Sequence, residues 1–204
     1  MLKVGLTGSI AVGKSFVCEV FRGLGCFVLD ADRTAREVVR PGTPGLEKII
    51  AAFGRGILDE TGDINRAKLG AIVFADEEKR LLLNSIVHPL VLESQDRWMS
   101  ARESEAPEST AIVDAALMIE SGGYTRFDKL IVAWCEPAIQ LQRFMLRDNL
   151  DQPDAVNRIA AQMTQDEKKR YADYLIDTSN GFEDTCRQTI SVFEQFSLTA
   201  LPCT

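Results

Sequence analysis

Residues 8–15 read GSIAVGKS, which fits the pattern GxxxxGK(S/T) that is typical of phosphate-binding loops. The short apolar segment 2–6 precedes this loop, and apolar residues at helical spacing follow it over residues 15–21. Strand, loop and helix in this order are the context that the pattern requires. A glycine turn that caps a core helix is the structural alternative, but a chance match is expected in only about one in a hundred such chains. The stretch therefore predicts a site for nucleotide phosphates at the end of a β-strand.

The residue types in this loop suit an anion and a divalent cation. Successive backbone N–H groups and the helix amino terminus form an anion cradle, Lys14 reaches the terminal phosphates, and the Ser15 hydroxyl can bind Mg²⁺. The predicted nucleotide contacts are Gly8, Ala11, Val12, Gly13, Lys14, Ser15 and Phe16. The loop alone does not distinguish a kinase from a GTPase or a mechanical ATPase, although the chain has no NKxD-type guanine signature, which disfavours a switch GTPase.

Four further apolar segments are predicted strands because each carries β-branched or aromatic residues: 26–29, 111–113, 130–135 and 174–176. Helical patterns separate them, so the simplest fold is α/β, with a parallel sheet flanked by helices and with ligands at the carboxyl ends of the strands. Residues 35–102 are helical throughout and exceed the length of one crossover. This pattern predicts an inserted helical substrate domain within a single domain over residues 1–204.

Composition and charge exclude several classes of protein. The chain has 204 residues, 23 basic and 30 acidic, and its formal charge of -7 opposes non-specific attraction to nucleic acids or anionic membranes. No apolar run could span a bilayer, and residues 1–4 begin a strand without the regions of a signal peptide, so we expect a cytoplasmic protein with no implied membrane, nucleic-acid or protein partner.

The cysteines form no CxxC pair, which disfavours a disulfide framework or a zinc site and favours mostly reduced thiols at Cys18, Cys26, Cys135, Cys186 and Cys203.

Two carboxylates, Asp30 and Asp32, follow the second predicted strand. On a parallel sheet at least one of them should face the phosphate loop, where it can orient an attacking hydroxyl and take its proton. The alternative is that Asp32 caps the helix that follows. Asp114 likewise ends a strand, either as an acid associated with Mg²⁺ or as a turn residue. The spacing leaves both pairs of alternatives open.

Two arginines, Arg143 and Arg147, lie four residues apart in a helix that Pro137 can open. Like charges at this spacing repel, and an anion between them, such as a phosphoryl group in transfer, would offset the repulsion. The spacing by itself favours a solvated helix face, on which Arg147 pairs with Asp148 or Asp151.

An ordered set of short motifs runs through almost the whole chain. It includes the phosphate loop, Asp30-Ala31-Asp32 with Ala35-Arg36-Glu37-Val38-Val39, Pro41-Gly42, Phe53-Gly54, Arg66 with Leu69, Val73-Phe74, His88-Pro89, Asp114 with Leu117 and Glu120, Gln140 with Arg143, Arg147-Asp148, Arg158 with Gln162, and Ala172-Asp173-Tyr174 with Ile176-Asp177. In this set the chain resembles the dephospho-coenzyme A kinase family. The resemblance implies a P-loop kinase core, a helical substrate domain and a lid over about residues 137–165. It also implies transfer of the γ-phosphoryl group of ATP, with Mg²⁺, to the ribose 3′-hydroxyl of the small-molecule substrate dephospho-coenzyme A.

The resemblance implies roles for individual residues, and it makes Asp32 the base for the acceptor hydroxyl. The implied catalytic residues are Asp32, Lys14, Arg143 and Arg147, and the implied metal ligands are Ser15 and Asp114. The implied contacts with the acceptor are Thr7, Asp32, Arg36, Arg66, Phe74, His88 and Leu117. His88 is the only histidine and precedes a proline, where a histidine is more often structural than catalytic. The alternatives are another small-molecule kinase, such as a nucleoside monophosphate kinase, and a non-catalytic nucleotide-binding regulator.

Several positions depart from the family pattern. Ser9 and Ala11 stand where glycine is common, and Phe16 stands where threonine usually follows the serine of the loop. The side chains at Ser9 and Ala11 lead us to expect an outward-facing or less strained loop. Residues 178–180 read TSN where the family usually has Asn-x-Gly, a difference that bears on any adenine contact there.

Overall fold

The computed structural model describes residues 1–199, and the side chains of residues 1–196. The chain divides into two compact units. The first contains Met1–Asp30 and the chain from Arg102 onward, and the second contains Ala31–Ala101. The second unit covers nearly the same residues as the predicted insertion, 35–102, and the substrate-binding role of that insertion stays a prediction.

A parallel sheet forms the centre of the first unit, with five strands among the described residues. The strands are β1 (Leu2–Thr7), β2 (Phe27–Asp30), β3 (Thr110–Asp114), β4 (Lys129–Trp134) and β5 (Tyr174–Asp177). Their order in the sheet is β2-β3-β1-β4-β5, and all neighbouring pairs are parallel. The predicted α/β fold and all five predicted strands are confirmed.

Nine α-helices lie within residues 1–199. They are α1 (Lys14–Gly23), α2 (Ala31–Glu37), α3 (Pro44–Phe53), α4 (Arg66–Ala75), α5 (Glu77–Glu105), α6 (Pro137–Asp148), α7 (Gln152–Ala160), α8 (Gln165–Lys169) and α9 (Gly181–Thr199). Local signals explain several bounds. Thr43, Asn65 and Thr164 precede α3, α4 and α8, and the side chain of each accepts a hydrogen bond from a backbone N–H of the first turn. Pro137 opens α6, as predicted, because a proline lacks only an N–H that would be unsatisfied there.

Each unit has an apolar core of its own. The core of the first unit joins β1, β3 and β4 with α1 and α9, and includes Val4, Leu6, Phe21, Ile112, Ile131 and Phe196. The core of the second unit joins α3 and α4 with the 3₁₀ turn Arg55–Ile57, and includes Leu46, Ile49, Ile57 and Leu69. Removal of these side chains from water is the main stabilising contribution, and in the first unit it holds the strands against α1 and α9.

The carboxyl ends of the strands place polar residues at one edge of the sheet. β1 ends at Thr7 and leads into the phosphate loop, and β3 ends at Asp114. Asp30, the last residue of β2, lies opposite Asp114 in the register of the two strands. Since the sheet extends on both sides of β1, this edge is the position where open parallel sheets bind ligands.

The cysteines of the described part are free thiols. Cys18, Cys26 and Cys135 are buried, Cys186 is partly exposed, and Cys203 lies outside the described residues. Burial raises the pKa of the Cys26 thiol to about 12, so this thiol stays protonated at neutral pH. Among residues 1–199, no helix has both the length and the apolar character that crossing a membrane requires.

Candidate active site

Two glycines of the phosphate loop occupy positions that a larger residue could not take without distortion. Gly8 follows β1, and a Cβ atom there would lie 2.3 Å from the carbonyl oxygen of Ala133 in β4. Gly13 precedes α1 with a φ of 89°, in the left-handed region that favours glycine. A Cβ atom at Gly13 would lie 3.2 Å from the hydroxyl oxygen of Thr178. The two glycines therefore let the loop approach β4 and the residues after β5 closely.

The outer turn of the loop, residues 9–11, is more constrained than the sequence led us to expect. The Ser9 side chain is buried, and its hydroxyl lies 3.4 Å from the Met163 carbonyl oxygen. Ala11 has a φ of 60°, in a region that costs a residue with a Cβ atom about 1–2 kcal/mol. The expectation of an outward-facing or less strained loop is therefore wrong, because contacts from elsewhere in the fold outweigh the local preference.

Three glutamine side chains hold this outer turn at Ile10. Gln162 accepts a hydrogen bond from the Ile10 N–H at 2.9 Å, and the Gln140 amide donates to the Ile10 carbonyl at 2.8 Å. Gln165 donates to the side-chain oxygen of Gln140 at 2.8 Å and accepts from the Cys135 N–H at 2.9 Å. Both backbone groups of Ile10 are thus bonded to side chains of the predicted lid region, which fixes the turn that carries the strained Ala11.

The Lys14 side chain lies beside the carboxylate that ends β3. Its Nζ is 3.8 Å from Asp114 Oδ1, and both side chains are mostly buried. Cys18, one turn along α1, hydrogen-bonds to the same carboxylate, and burial together with that negative charge raises the pKa of the thiol. With Asp30 next to Asp114 in the sheet, the loop lysine and two carboxylates lie at one edge, as the parallel-strand pattern predicted.

Arg143 is anchored to a buried threonine that also bonds to the phosphate loop. Its guanidinium donates through Nη1 to Thr178 Oγ1 at 3.0 Å and through Nη2 to the Thr178 carbonyl at 2.8 Å. Thr178 Oγ1 in turn donates to the Val12 carbonyl at 2.6 Å. The lid region is therefore connected to the loop through Thr178 as well as through the glutamines.

Arg147 has different neighbours from Arg143. Its exposed side chain pairs with Asp148, with Nε 2.6 Å from Oδ1, and its guanidinium lies 5.3 Å from the centre of the Phe144 ring. The hydrogen bond from Arg147 holds the pKa of the Asp148 carboxyl below its usual range, and the charges of Arg147 and Arg158 act in the same direction. Pairing with Asp148 is the arrangement that the spacing favoured, and a joint role for the two arginines at a phosphate stays a prediction.

A buried lysine connects α8 to the residues that follow β3. Lys168 Nζ donates to the Ala116 carbonyl at 2.7 Å and lies 2.8 Å from Glu120 Oε1. Burial lowers the pKa of Lys168, and the hydrogen bond and charge of Glu120 oppose that shift. The Thr7 hydroxyl donates to the same Ala116 carbonyl at 3.2 Å. Because Thr7 is completely buried, its side chain does not face solvent, and its hydrogen bond supports the segment that follows β3.

Three other predicted site residues of the first unit are accessible to different degrees. Ser15 is exposed at the start of α1. Phe16 packs against Phe182, with ring centres 4.7 Å apart, and Phe182 is largely exposed. Leu117, predicted to contact the acceptor, is about half exposed in the turn after β3.

The remaining residues predicted to contact the acceptor lie in the second unit. Asp32 and Arg36 are exposed in the first and last turns of α2. Arg66 begins α4, Phe74 near its end is 90% exposed, and His88 is exposed within α5. Asp32 is the second residue of its helix, so it does not occupy the N-cap position. A carboxylate in the first turn can still stabilise the helix through the dipole, by about 0.3–1 kcal/mol.

Comparison with known proteins identifies the family. The profile of CoaE, dephospho-CoA kinase, matches residues 2–184. The chain belongs to the dephospho-CoA kinase family. The dephospho-CoA kinase of Bacillus licheniformis is 46% identical to it over 200 residues, which cover 96% of this chain and 97% of that protein. Dephospho-CoA kinases use ATP as the phosphoryl donor, which accounts for the phosphate loop.

Solved structures agree with membership of the dephospho-CoA kinase family. The dephospho-CoA kinase of Campylobacter jejuni is 28% identical, with a TM-score of 0.64 over 96% of this chain and 97% of that one. A protein from Thermus thermophilus is 24% identical, with a TM-score of 0.82 over 96% of this chain and 97% of that one. This second likeness shows a shared fold.

In this member of the dephospho-CoA kinase family, several residues that shape the site were not predicted as site residues. Gln140 and Gln162 were noted only as motif positions, Thr178 only as a departure from the family pattern, and Gln165 and Lys168 not at all. Their hydrogen bonds cross up to 166 positions of sequence, as between Thr178 and Val12. No local periodicity accompanies such contacts, so the only available signal was the position of these residues near recognisable motifs.

Proposed function

We propose that the protein transfers the γ-phosphoryl group of ATP to the ribose 3′-hydroxyl of dephospho-coenzyme A, which yields coenzyme A and ADP. The observation that carries this proposal is the family match over residues 2–184, which spans both compact units and the whole phosphate loop. In the reaction the ribose oxygen forms a bond to the γ-phosphorus, the bond from that phosphorus to the bridging oxygen of ADP breaks, and the hydroxyl proton leaves.

The phosphate loop supplies the donor site in this proposal. The backbone N–H groups of the loop other than that of Ile10, together with the amino terminus of α1, would bind the β- and γ-phosphates, and Lys14 would neutralise their charge. The hydrogen bonds at Ile10 and Val12 keep the loop in one conformation. Donors that are already oriented need no reorganisation when charge develops in the transition state, which is how such a site lowers the barrier.

Ser15 and Asp114 are the residues that would hold Mg²⁺ beside the phosphates. A hydroxyl and a carboxylate suit this cation, which is usually bound by one or two protein oxygens together with substrate phosphates and water. When bound, the ion would neutralise charge on the β- and γ-phosphates.

The acceptor side of the proposal rests on residues of the second unit. Asp32 orients the 3′-hydroxyl and accepts its proton, and its exposed position in the first turn of α2 leaves the carboxylate free to meet a ligand. Exposed Arg36 and Arg66 suit the phosphates of the acceptor, since a guanidinium binds phosphate through two parallel hydrogen bonds. Phe74, which is 90% exposed, offers an apolar surface to the rest of that ligand.

A panel of acceptors tests the proposed reaction. We expect ADP release with dephospho-coenzyme A to exceed release with AMP or CMP by at least about 10³-fold in kcat/KM, because a site built to hydrogen-bond a substrate rejects one that lacks the matching groups. Coenzyme A is the matched negative control, since its 3′-oxygen already carries a phosphate. Comparable turnover of a nucleoside monophosphate would indicate a different kinase, and no turnover of any acceptor would indicate a nucleotide-binding regulator.

The two lid arginines are expected to act on the rate of transfer. Arg143→Ala should lower kcat about 10²–10³-fold with a smaller change in acceptor KM, because a cation at the transferred group is needed most in the transition state. Arg147→Ala should also lower kcat more than it weakens acceptor binding, which requires that Arg147 leave Asp148 when phosphates bind.

Arg187→Ala is a suitable control for these two variants. Arg187 forms an exposed ion pair with Asp184 at 2.7 Å, so the substitution removes the same charge and a similar surface contact from another helix. Steady-state kinetics and melting temperature are measured for all three proteins. If Arg143→Ala and Arg147→Ala both retain kcat and thermal stability, as Arg187→Ala should, neither arginine acts on the transferred phosphoryl group.

A further inference from the structure

We propose that Thr178 is a positioning residue for phosphoryl transfer, which acts by holding Arg143 and the phosphate loop in one fixed arrangement. The inference rests on the proposed function, and in particular on the role of Arg143 at the transferred group. Thr178 is not among the predicted nucleotide or acceptor contacts, so the inference gives a role to a residue that had none. Thr178 is itself only 3% exposed, so its effect on a ligand is indirect.

The hydrogen bonds of the Thr178 hydroxyl have one consistent direction. A hydroxyl has one proton to donate and lone pairs to accept. The Nη1 group of Arg143 can only donate, so at 3.0 Å the hydroxyl oxygen must be the acceptor of that bond. Its own proton is then directed at the Val12 carbonyl, 2.6 Å away, and the Trp134 carbonyl at 3.2 Å is a second, weaker acceptor. One buried hydroxyl thus joins the loop backbone to the guanidinium.

The backbone of the same residue completes the attachment of Arg143. The Thr178 carbonyl accepts from Nη2 at 2.8 Å, and the Thr178 N–H donates to the Trp134 carbonyl at 2.9 Å, so the residue is fixed to the end of β4. Two bonds to the planar guanidinium restrict both its place and its orientation. A guanidinium held in this way loses less conformational freedom when it meets a phosphoryl group than a mobile one does.

Thr178 also contacts the loop by packing. Its hydroxyl oxygen and side-chain carbons lie 3.2–3.5 Å from the position of a Cβ atom at Gly13. Gly13 comes directly before Lys14, so the side chain of Thr178 supports the point where the loop turns into α1. A displacement here would move the loop and Arg143 together, whereas loss of the hydroxyl alone removes only the hydrogen bonds.

Replacement of the hydroxyl by a methyl group tests the inference. Thr178→Val keeps the shape of the side chain but removes the acceptor for Arg143 and the donor to Val12. We expect kcat at saturating ATP and dephospho-coenzyme A to fall about 10–100-fold, the range for loss of a hydrogen bond to a charged group. The KM values should change less. Thr178→Ser retains the hydroxyl and should keep kcat within about threefold of the original protein.

Two additional comparisons make the test specific. Thr178→Ala and Thr178→Ser both lack the methyl group, so the difference between them reports the hydroxyl even if Thr178→Val does not fold. Because Thr178 acts partly through Arg143, the loss of kcat in the double variant Thr178→Val, Arg143→Ala should be smaller than the product of the two single losses. Melting temperatures establish that each variant is folded at the temperature of the assay.

The outcomes separate this inference from the proposed function. Thr178→Val with unchanged kcat, Thr178→Ser as slow as Thr178→Ala, or losses that multiply in the double variant would each overturn the positioning role while leaving the kinase reaction intact. A rise in the KM for ATP with unchanged kcat would overturn it too, since it would limit Thr178 to ground-state binding. If Arg143→Ala itself retains full kcat, the proposed role of Arg143 fails, and the role of Thr178 fails with it.

Discussion

Lys14→Ala is expected to reduce kcat by at least about 10³-fold, which places transfer near the limit of detection in an ordinary assay. The lysine is the only side chain of the phosphate loop with a positive charge. Its Nζ lies at the edge of the sheet, 3.8 Å from Asp114, in a position with little exposure to water. Charge in such surroundings is weakly screened, so its loss removes a large part of the stabilisation of the phosphoryl group in transfer.

Folding should be affected much less than catalysis. The Lys14–Asp114 distance of 3.8 Å is at the long end for an ion pair, and the lysine side chain is not part of the apolar core. We expect the melting temperature of Lys14→Ala to remain within a few degrees of the original value, because at 3.8 Å the two charged groups form no direct hydrogen bond.

Lys3→Ala provides the matched control for Lys14→Ala. Lys3 lies in β1, one residue after the start of that strand, and pairs with Glu103 at 3.3 Å. Its removal changes the net charge by the same amount but leaves the phosphate loop untouched. The measurements are kcat and the melting temperature of both variants. Normal turnover by a folded Lys14→Ala protein would contradict the assignment of residues 8–15 to the phosphate site.

Asp32→Asn is expected to lower kcat about 10²–10⁴-fold with ATP binding nearly intact, because asparagine cannot accept the proton of the acceptor hydroxyl. The substitution keeps the size of the side chain. A loose, metaphosphate-like transition state would place the loss of kcat at the lower end of this range, since little proton transfer then precedes phosphoryl transfer.

The structure makes the competing explanation for Asp32 specific. Asp32 lies inside the first turn of α2, so its structural contribution is an interaction with the helix dipole, about 0.3–1 kcal/mol, and not a cap. Glu47→Gln is the control, because Glu47 is an exposed first-turn acid of α3 in the same unit. If the dipole explains Asp32, both variants should lose a similar, small amount of stability and keep normal turnover.

The deciding measurement is kcat of purified Asp32→Asn at saturating ATP and dephospho-coenzyme A, together with its melting temperature. A decrease of less than threefold excludes the base role. Asp30→Asn extends the experiment. Asp30 is the other carboxylate of the Asp30-Ala31-Asp32 motif, and it lies next to Asp114 in the sheet. A large loss in Asp30→Asn with a small one in Asp32→Asn would transfer the base role to Asp30.

Local patterns were sufficient to predict the sheet. Segments such as 111–113 and 130–135 are short, apolar and rich in β-branched residues, and β3 and β4 were found there with bounds that differ by one residue at most. The phosphate loop was equally predictable because Gly8 and Gly13 meet steric requirements that no larger residue satisfies without strain. The position of Asp114 was predictable because it ends a parallel strand, and parallel strands bind ligands at their carboxyl ends.

Local sequence patterns could not predict side-chain contacts between segments that are far apart in the chain. The conformation at Ala11 was mispredicted because a left-handed φ is unfavourable for an isolated alanine, and the bonds to Ile10 that hold this turn come from Gln140 and Gln162. The spacing of Arg143 and Arg147 indicated a common helix face and the pairing of Arg147 with Asp148, but it did not indicate Thr178 as the partner of Arg143. The contact with Thr178 depends on which segment lies next to α6 in the folded chain, 35 residues away in sequence.

For this protein, the sequence by itself determined the positions of the five strands along the chain, the helical character of residues 35–102, the phosphate loop and the membership of a kinase family. These features depend on residues close together in the chain, where periodicity and steric requirements act directly. Only the tertiary structure decided how the loop is held, through Thr178 at Val12 and through Gln140 and Gln162 at Ile10. The reason is physical: a buried polar group must find a partner wherever the fold brings one, and chain separation does not limit that choice once apolar burial has brought the segments together.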